Sequence, residues 1–228
     1  MISIPVLIVL QNDTELTSYK NRMLLPIVKE YVSHHAILNN AVIICANEID
    51  ELYASVLGFV NIYKYEESIL SDKNTFKAVN KYFLEVNKNA DWCIILKPYR
   101  IITDTKQLIR AIQNINSNYD LILFRTSSYD QTPIEIDNTC ANLKLNKMGN
   151  SKRIIYVIND ALQIGKVSFL NKCYLESDED VEKYSKLVVS GKIKYLDCDD
   201  VQMNFCTIEQ VDNFVRFISD IKYKSHIV

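Results

Sequence analysis

The stretch that decides the fold is A-D-W-C-I-I-L-K-P-Y-R-I-I-T-D-T-K-Q-L-I-R-A-I-Q-N-I-N-S-N-Y-D-L-I-L-F-R, residues 90–125. Trp92–Leu96 is a continuous apolar run, which predicts a strand covered on both faces. Asp104 predicts a helix N-cap, and apolar residues then recur at helical spacing as far as Ile115. Residues 121–124 form a second apolar strand. We therefore predict a βαβ unit with two parallel strands and a right-handed crossover.

The same alternation of strands and helices runs through the preceding part of the chain. Apolar runs predict strands at 4–10, 41–46 and 59–63. Helical periodicity predicts helices at 21–37 and 48–57, with Gly58 as the C′ residue of the second, and another helix that carries Phe76 to Val86. Residues 11–20 read as a polar loop, and Pro26 fits only near the start of the helix that follows.

Beyond Arg125 the pattern becomes more polar. Residues 126–152 predict an insertion or flap, and the whole segment 126–190 is assigned to it. Within and after it, we predict strands at 153–158 and 161–164, a charged helix or loop at 178–189, a strand at 201–205, and a closing helix at 207–222. The expected architecture is one three-layer α/β domain with a predominantly parallel sheet.

Composition limits the classes of function. The chain has 228 residues, of which 48% are hydrophobic, and a formal net charge of −2 with scattered basic residues, so we expect no nucleic-acid partner. No apolar run approaches the ~20 residues of a membrane span, and we expect no signal peptide. Cys45 and Cys93 lie inside apolar strands and are predicted to be reduced, buried thiols. A cytoplasmic location is therefore expected.

Several short segments carry motifs in a recognisable order. The first strand is followed by Gln11-Asn12, and the polar loop ends in Lys20-Asn21; Ser71-Asp72-Lys73-Asn74-Thr75 precedes a helix. Residues 96–103, 159–164 and 204–211 fit a proline-containing loop, a later strand and the opening of the last helix. In this order and spacing the segments resemble the CMP-sialic acid synthetase family, the cytidylyltransferases that activate acidic sugars.

The resemblance implies a nucleotide-diphospho-sugar transferase-like fold. It also implies a reaction in which a hydroxyl of an acidic sugar attacks the α-phosphate of CTP and releases pyrophosphate, with Mg²⁺ neutralising the developing charge. Lys20 takes the catalytic position by resemblance. Nucleotide-binding positions are Gln11, Asn12, Asn21, Ser71 and Lys97, and sugar-binding positions are Arg100, Asn159 and Gln163. The family forms homodimers through a late segment, here 140–189, with Ile154, Val157, Val167 and Phe169 as interface candidates.

The chain departs from the family where charge matters most. Residues 11–19 contain no glycine, arginine or lysine, and Asp13 and Glu15 place negative charge where the family binds triphosphate. Asn204 and Cys206 occupy the expected metal-ligand positions, and a thiol is a poor ligand for magnesium. Asp199 is the substitute ligand that we consider.

Alternatives remain open for the individual residues and for the whole chain. Lys20 either contacts phosphate or begins a helix in solvent, Asn21 either binds a cytosine edge or caps that helix, and Asn159 either orients a sugar or bonds to a turn. The chain is an active cytidylyltransferase, a pseudoenzyme that binds a nucleotide or a partner, or a glycosyltransferase whose metal motif is Asp197-Cys198-Asp199.

Overall fold

The computed structural model describes residues 4–33, 40–71, 74–98, 110–115, 118–129, 154–175, 192–197 and 207–225. These ranges contain seven strands and five helices whose first and last residues are defined. The strands are β1 (Val6–Val9), β2 (Ala41–Cys45), β3 (Asn61–Lys64), β4 (Trp92–Leu96), β5 (Leu121–Tyr129), β6 (Ile154–Lys166) and β7 (Ile193–Asp197). The helices are α1 (Glu15–Ser33), α2 (Glu48–Val56), α3 (Thr75–Glu85), α4 (Val167–Leu175) and α5 (Ile208–Ser225).

The strands form one sheet in the order β3-β2-β1-β4-β6-β5-β7. Every neighbouring pair is parallel except the two pairs made by β6, which runs antiparallel to both β4 and β5. The chain winds from β1 to β2 and β3 on one side of the sheet and then places β4 on the other side of β1. The predicted α/β fold with a predominantly parallel sheet is confirmed.

Side-chain alternation along β1 divides the core into two layers. Val6 and Ile8 pack on one face of the sheet with the inner stripe of α1, and Leu7 and Val9 pack on the other face with α3 and α4. All four side chains are at most 1% exposed. A strand buried on both faces reads as a continuous apolar run, which is why the sequence located β1, β2 and β4. The three-layer arrangement follows from this double burial.

The two strands of the predicted βαβ unit run in the same direction, as expected, but they are not adjacent in the sheet. Strands β4 and β5 point the same way because each is antiparallel to β6, and β6 lies between them. The described end of the intervening helix, 110–113, is helical, and Ala111 is buried in the core. The handedness of the crossover stays a prediction.

The prediction of two strands at 153–158 and 161–164 is wrong, because β6 is one strand of 13 residues. An irregularity in pairing explains the error. Leu123 of β5 pairs with Gln163 of β6, but the next residue, Phe124, pairs with Asn159, which is four positions away along β6. The additional β6 residues bulge away from β5 while Leu162 pairs with Leu96 of β4. The polar pair Asn159-Asp160 therefore marks a bulge and not a strand end.

Helix α1 begins at Glu15 and not at residue 21, so the predicted loop 11–20 is mostly helix. The Thr14 hydroxyl oxygen accepts a hydrogen bond from the Thr17 amide at 3.0 Å, and the Thr14 carbonyl accepts one from the Ser18 amide. Thr14 thus caps the helix. Because the cap lies among other polar residues, the sequence pattern indicates a loop at this position. Pro26 consequently lies well inside α1, with an exposed ring.

Smaller boundary errors occur around β3. The strand covers Asn61–Lys64 instead of 59–63, because Phe59 turns into the core beside α2 and is 5% exposed. Gly58 has φ of 81° and terminates α2, as predicted for a C′ glycine. Cys45 and Cys93 are buried free thiols, and burial raises the pKa of both, that of Cys45 to about 12.

The late part of the chain tests the insertion only in part. Strand β5 continues to Tyr129, so residues 126–129 of the predicted insertion belong to the sheet. Val167 is 8% exposed inside the core and Phe169 packs against the same cluster, so Val167 is wrong as an interface candidate. The side chains of Ile154 and Val157, and the predicted elements at 178–189 and 201–205, lie outside the described residues. Within the described ranges no helix is both long and apolar enough to cross a bilayer.

Gly165 provides a test of the packing between β6 and α4. A Cβ atom at this position would lie 3.0 Å from Leu170 Cδ1 and 3.2 Å from Leu121 Cδ1, with both leucines buried. We expect Gly165→Ala to lower the free energy of unfolding by about 1–3 kcal/mol, because the neighbouring side chains have to shift. Urea denaturation of the purified protein measures the change.

A double-mutant cycle with Leu170→Ala supplies the control. Removing the crowding side chain should make Gly165→Ala less costly, with a coupling of at least about 0.5 kcal/mol. Strictly additive effects of the two substitutions would contradict the predicted contact.

Candidate functional site

The topology itself indicates where a ligand site lies. In open sheets of parallel strands, ligands bind at the carboxyl ends of the strands where the strand order reverses. Here the order reverses between β1 and β4, which pair in parallel with Ile8 opposite Leu96. Gln11 follows β1, and Lys97 follows β4. These two residues therefore stand at the switch point of the sheet.

Three buried polar residues gather on one face of this edge. Alternation from Val9 and Ile95 places Gln11 and Lys97 on the α3–α4 face, and Gln163 of β6 pairs with Ile95 on the neighbouring strand. Gln11 and Gln163 are each 2% exposed, and Lys97 is 5% exposed. We call these three residues the switch-point cluster. Polar side chains that are this buried are expensive unless they meet partners or a ligand.

Gln11 connects the two helical layers through the end of β1. Its side-chain amide donates to Thr75 Oγ1 at 3.0 Å, and Thr75 Oγ1 donates to the Ser71 carbonyl oxygen at 2.8 Å. From the opposite layer, Asn21 Nδ2 donates to the Gln11 carbonyl oxygen. Gln11, Asn21 and Ser71, three predicted nucleotide-binding residues, thus belong to one hydrogen-bonded network.

Asn12 is committed to the loop between β3 and α3. Its Nδ2 donates to the Ser68 carbonyl oxygen at 3.0 Å, and its Oδ1 accepts from the Leu70 amide at 2.6 Å. The Asn12 amide also donates to the Leu70 carbonyl oxygen at 2.8 Å. Both ends of the side chain therefore have partners within the protein. This arrangement favours a structural role for Asn12.

The loop between β1 and α1 is short and acidic. Only residues 10–14 separate the two elements, and Asp13 and Glu15 are exposed at the start of the helix. The Thr17 amide, one of the free donors of a helix start, is already bonded to Thr14 Oγ1. A phosphate placed here would meet two carboxylates and fewer available amides.

Glu67 holds the loop that faces this edge. The Glu67 carboxylate accepts hydrogen bonds from Lys77 Nζ, from Asn74 Nδ2 at 3.0 Å and from the Tyr65 hydroxyl at 2.9 Å. The hydrogen bond from Lys77, followed by those from Asn74 and Tyr65, lowers the pKa of Glu67 to about 2. The carboxylate is therefore ionised at neutral pH and holds Tyr65, Asn74 and Lys77 together.

The first turn of α2, which follows the carboxyl end of β2, carries a buried acidic residue that our predictions from the sequence did not include. Asp50 is 1% exposed, and its carboxylate lies 3.3 Å from Arg22 Nε of α1 and 2.7 Å from Asn47 Nδ2. Asn47 Oδ1 in turn caps α2 by accepting from the Asp50 amide at 2.8 Å. The capping pattern Asn47-x-x-Asp50 was the available signal.

The remaining predicted residues divide into three groups. Lys20 lies in the second turn of α1 and Asn21 in the same turn is 1% exposed, so neither begins nor caps the helix, and those two alternatives are wrong. Asn159 lies in β6 opposite Phe124, and its side chain is outside the described residues. Arg100, Asp199, Asn204 and Cys206 also lie outside them.

The metal prediction is not tested by the described residues. Within the ranges that the structure covers, no three His, Cys, Asp or Glu side chains gather closely enough to hold a metal ion. The candidate ligand positions Asn204, Cys206 and Asp199 fall in the rest of the chain. Mg²⁺ binding therefore stays a prediction.

Comparison with solved structures shows the fold. A cytidylyltransferase from Leptospira borgpetersenii is 12% identical, covers 96% of this chain and 87% of its own, and has a TM-score of 0.66. CMP:2-keto-3-deoxy-manno-octonic acid synthetase, determined in complex with CTP, is 11% identical, with coverages of 95% and 98% and a TM-score of 0.70. A 4-diphosphocytidyl-2C-methyl-D-erythritol synthase from Anaerococcus prevotii is 12% identical, with coverages of 95% and 98% and a TM-score of 0.60.

No protein-family profile and no curated protein matches the sequence. The similarity is therefore one of architecture, and it extends over nearly the whole chain. The chain has the nucleotide-diphospho-sugar transferase-like fold, and the cited neighbours are cytidylyltransferases and related synthases.

Replacing Asn12 distinguishes a structural from a ligand-binding side chain. We expect Asn12→Ala to lower the free energy of unfolding by about 1–3 kcal/mol, because the Leu70 amide and the Ser68 carbonyl lose their partner. Asn12→Asp keeps the acceptor for the Leu70 amide and should cost less. Chemical denaturation without ligand tests both variants, and an Asn12→Ala protein as stable as the parent would contradict the structural role.

The Glu67 network predicts a pH dependence of stability. Because the folded-state pKa of Glu67 is about 2 and the unfolded value is about 4.3, its contribution is complete above the unfolded pKa and is lost as the pH falls towards 2. The side chain is 39% exposed, so solvent screening limits the effect to about 1 kcal/mol. Glu67→Gln should therefore destabilise the protein at pH 7 and have a smaller effect near pH 2, measured by urea unfolding at both pH values. An equal destabilisation at both pH values would contradict the assignment.

Proposed function

We propose that this chain is a cytidylyltransferase-like protein that binds CTP at the switch point between β1 and β4. The observation that carries the proposal is the switch-point cluster, in which Gln11, Lys97 and Gln163 are buried on one face of the sheet edge. The structural neighbours give independent support, since one of them was determined in complex with CTP. An acidic sugar is the proposed second ligand.

The buried lysine is the feature best suited to an anionic ligand. A positive charge in surroundings of low polarity exerts a stronger field than one in water, and it is less screened by salt. Lys97 follows β4 directly, so its backbone is held by a strand whose side chains are nearly all buried. We assign Lys97 and Gln11 to nucleotide binding, Arg100, Asn159 and Gln163 to the sugar, and Lys20 to catalysis.

If the protein is active, a hydroxyl of the sugar attacks the α-phosphorus of CTP. The new oxygen–phosphorus bond gives the CMP-sugar, the bond to the β-phosphate breaks, and pyrophosphate leaves with the charge while the hydroxyl proton passes to solvent or a base. Positive groups around the phosphates stabilise the transition state of this reaction.

Nucleotide or partner binding without turnover is the second candidate, and a specific observation favours it. The loop after β1 has five residues, its Asn12 is tied to Ser68 and Leu70, and Asp13 and Glu15 add negative charge. These features weaken the binding of a triphosphate more than the binding of a nucleoside.

We propose a homodimer for either function.

The glycosyltransferase alternative is less well supported by the topology. Its metal motif would begin at Asp197, the last residue of β7. Strand β7 is four strands away from β1 in the sheet, which at a spacing of about 4.8 Å corresponds to about 19 Å. A sugar nucleotide that raises the melting temperature when CTP does not would favour this alternative.

Calorimetry with CTP tests the proposal. We expect a dissociation constant near 1 mM or somewhat tighter, about −4 kcal/mol, with little change when Mg²⁺ is added, because the loop offers few donors to the phosphates. Lys97→Gln should weaken binding about tenfold or more. Absence of CTP binding at 5 mM nucleotide, or unchanged binding in Lys97→Gln, would contradict the proposal.

Neutralising the acidic residues at the loop after β1 gives the matched experiment. The double variant Asp13→Asn/Glu15→Gln removes two exposed carboxylates and should strengthen CTP binding about fivefold for each charge near a phosphate, while leaving cytidine binding unchanged. A pyrophosphate-release assay over several acidic sugars then separates the enzyme from the binding protein.

A further inference from the structure

The structure contains a cavity at the opposite edge of the sheet from the switch point. Its volume is about 390 Å³, and it lies between the amino ends of β2 and β3 and the carboxyl end of α3. Strand β2 has five residues, so the cavity is about 15 Å from the carboxyl edge. The volume falls within the lower part of the range of small-molecule sites. No predicted site residue lines it.

The polar part of the lining is neutral and rich in amides. Asn40, Asn61 and Asn87 line the cavity, together with Tyr63 and Tyr82. Each asparagine offers a donor and an acceptor, which matches a ligand whose groups both donate and accept. Among the described residues that line the cavity, none carries a full charge at neutral pH. A charged ligand would lose its hydration here without gaining a counter-ion.

Both phenols are held in place by neighbouring residues. The Tyr63 hydroxyl donates to Glu85 Oε2 at 2.6 Å, and Lys81 pairs with Glu85 and with Glu66. Burial, followed by the hydrogen bond to Glu85, raises the pKa of Tyr63; burial also raises the pKa of Tyr82. The two side chains therefore stay neutral and oriented.

The apolar part of the lining provides ring faces and a floor. Tyr63 and Tyr82 meet edge to face, with centroids 5.5 Å apart and planes at 73°. This perpendicular pair leaves no parallel slot for a flat base to insert between two rings. Tyr63 is half-buried and is the accessible ring of the pair, whereas Tyr82 is 5% exposed and packs against it.

We propose that this cavity is a second binding site, for a neutral saccharide of one or two rings. A pyranose has hydroxyl groups that both donate and accept around its rim and an apolar face of C–H groups. The amides of Asn40, Asn61 and Asn87 match the rim, and the half-buried ring of Tyr63 matches the face. The site does not depend on the proposed nucleotide function, because it shares none of the residues of the switch-point cluster.

Titration of the full chain with defined sugars tests this site. The probes are methyl α-glucoside, methyl α-galactoside, N-acetylglucosamine and lactose. Binding of each sugar is measured by calorimetry and by changes in the NMR signals of the tyrosine rings. We expect at least one neutral sugar to bind with a dissociation constant of about 1 mM or tighter. Asn61→Ala and Asn87→Ala should each weaken it by about threefold to tenfold, as expected for one hydrogen bond. Asn89→Ala, an exposed asparagine outside the cavity, is the matched control and should leave affinity unchanged.

The other outcomes overturn the proposal. The proposal is wrong if no neutral sugar binds, or if the cavity prefers cytidine or a charged sugar. It is also wrong if the Asn61→Ala and Asn87→Ala variants bind the sugar as tightly as the parent protein and have unchanged melting temperatures. Saturating CTP should not displace the neutral sugar. Displacement would assign the sugar to the switch point and not to this cavity.

Discussion

Gln11 is the residue on which the arrangement of the carboxyl edge depends. Its carbonyl oxygen accepts from Asn21 of α1 on one side of the sheet, and its side chain donates to Thr75 of α3 on the other. Because these groups are buried, each lost hydrogen bond would cost about 1–3 kcal/mol. The end of β1 is thereby fixed to both helical layers at the point where the strand order reverses. This constraint places the start of the loop after β1 beside α3 and α1.

The same hydrogen bonds that fix the edge also restrict what it can hold. Asn12 is bonded to the loop before α3, and that loop is fastened by the Glu67 carboxylate through Lys77 and Asn74. The segment after β1 is thus occupied by the protein itself instead of remaining open to a triphosphate. Lys97 and Gln163 are buried polar residues of the neighbouring strands. In the function that we propose, the carboxyl edge of the sheet supplies the nucleotide site, and the loop after β1 that would contact the phosphates is short and acidic.

The sequence predicted those elements whose burial leaves a simple pattern. Strands β2 and β4 were found because both faces are covered, which makes them continuous apolar runs. The start of α1 was missed because Thr14 caps it within a polar segment, and β6 was divided because its bulge contains Asn159-Asp160. Gln11, Asn21 and Ser71 were placed together by resemblance to a family. Periodicity alone could not have found Thr75 or Asp50, since their roles depend on partners distant in sequence.

The central claim is that the switch point binds the nucleoside part of a nucleotide, that is, the base and the ribose. The loop after β1 contributes little to the binding of the phosphates. Backbone NMR spectra recorded during titrations with cytidine and with CTP test this claim most directly. The account predicts that both ligands shift the resonances of Gln11, Lys97 and Gln163, and that the amides of residues 12–17 shift little with either. Large shifts of those amides with CTP alone, increasing when Mg²⁺ is added, would contradict it.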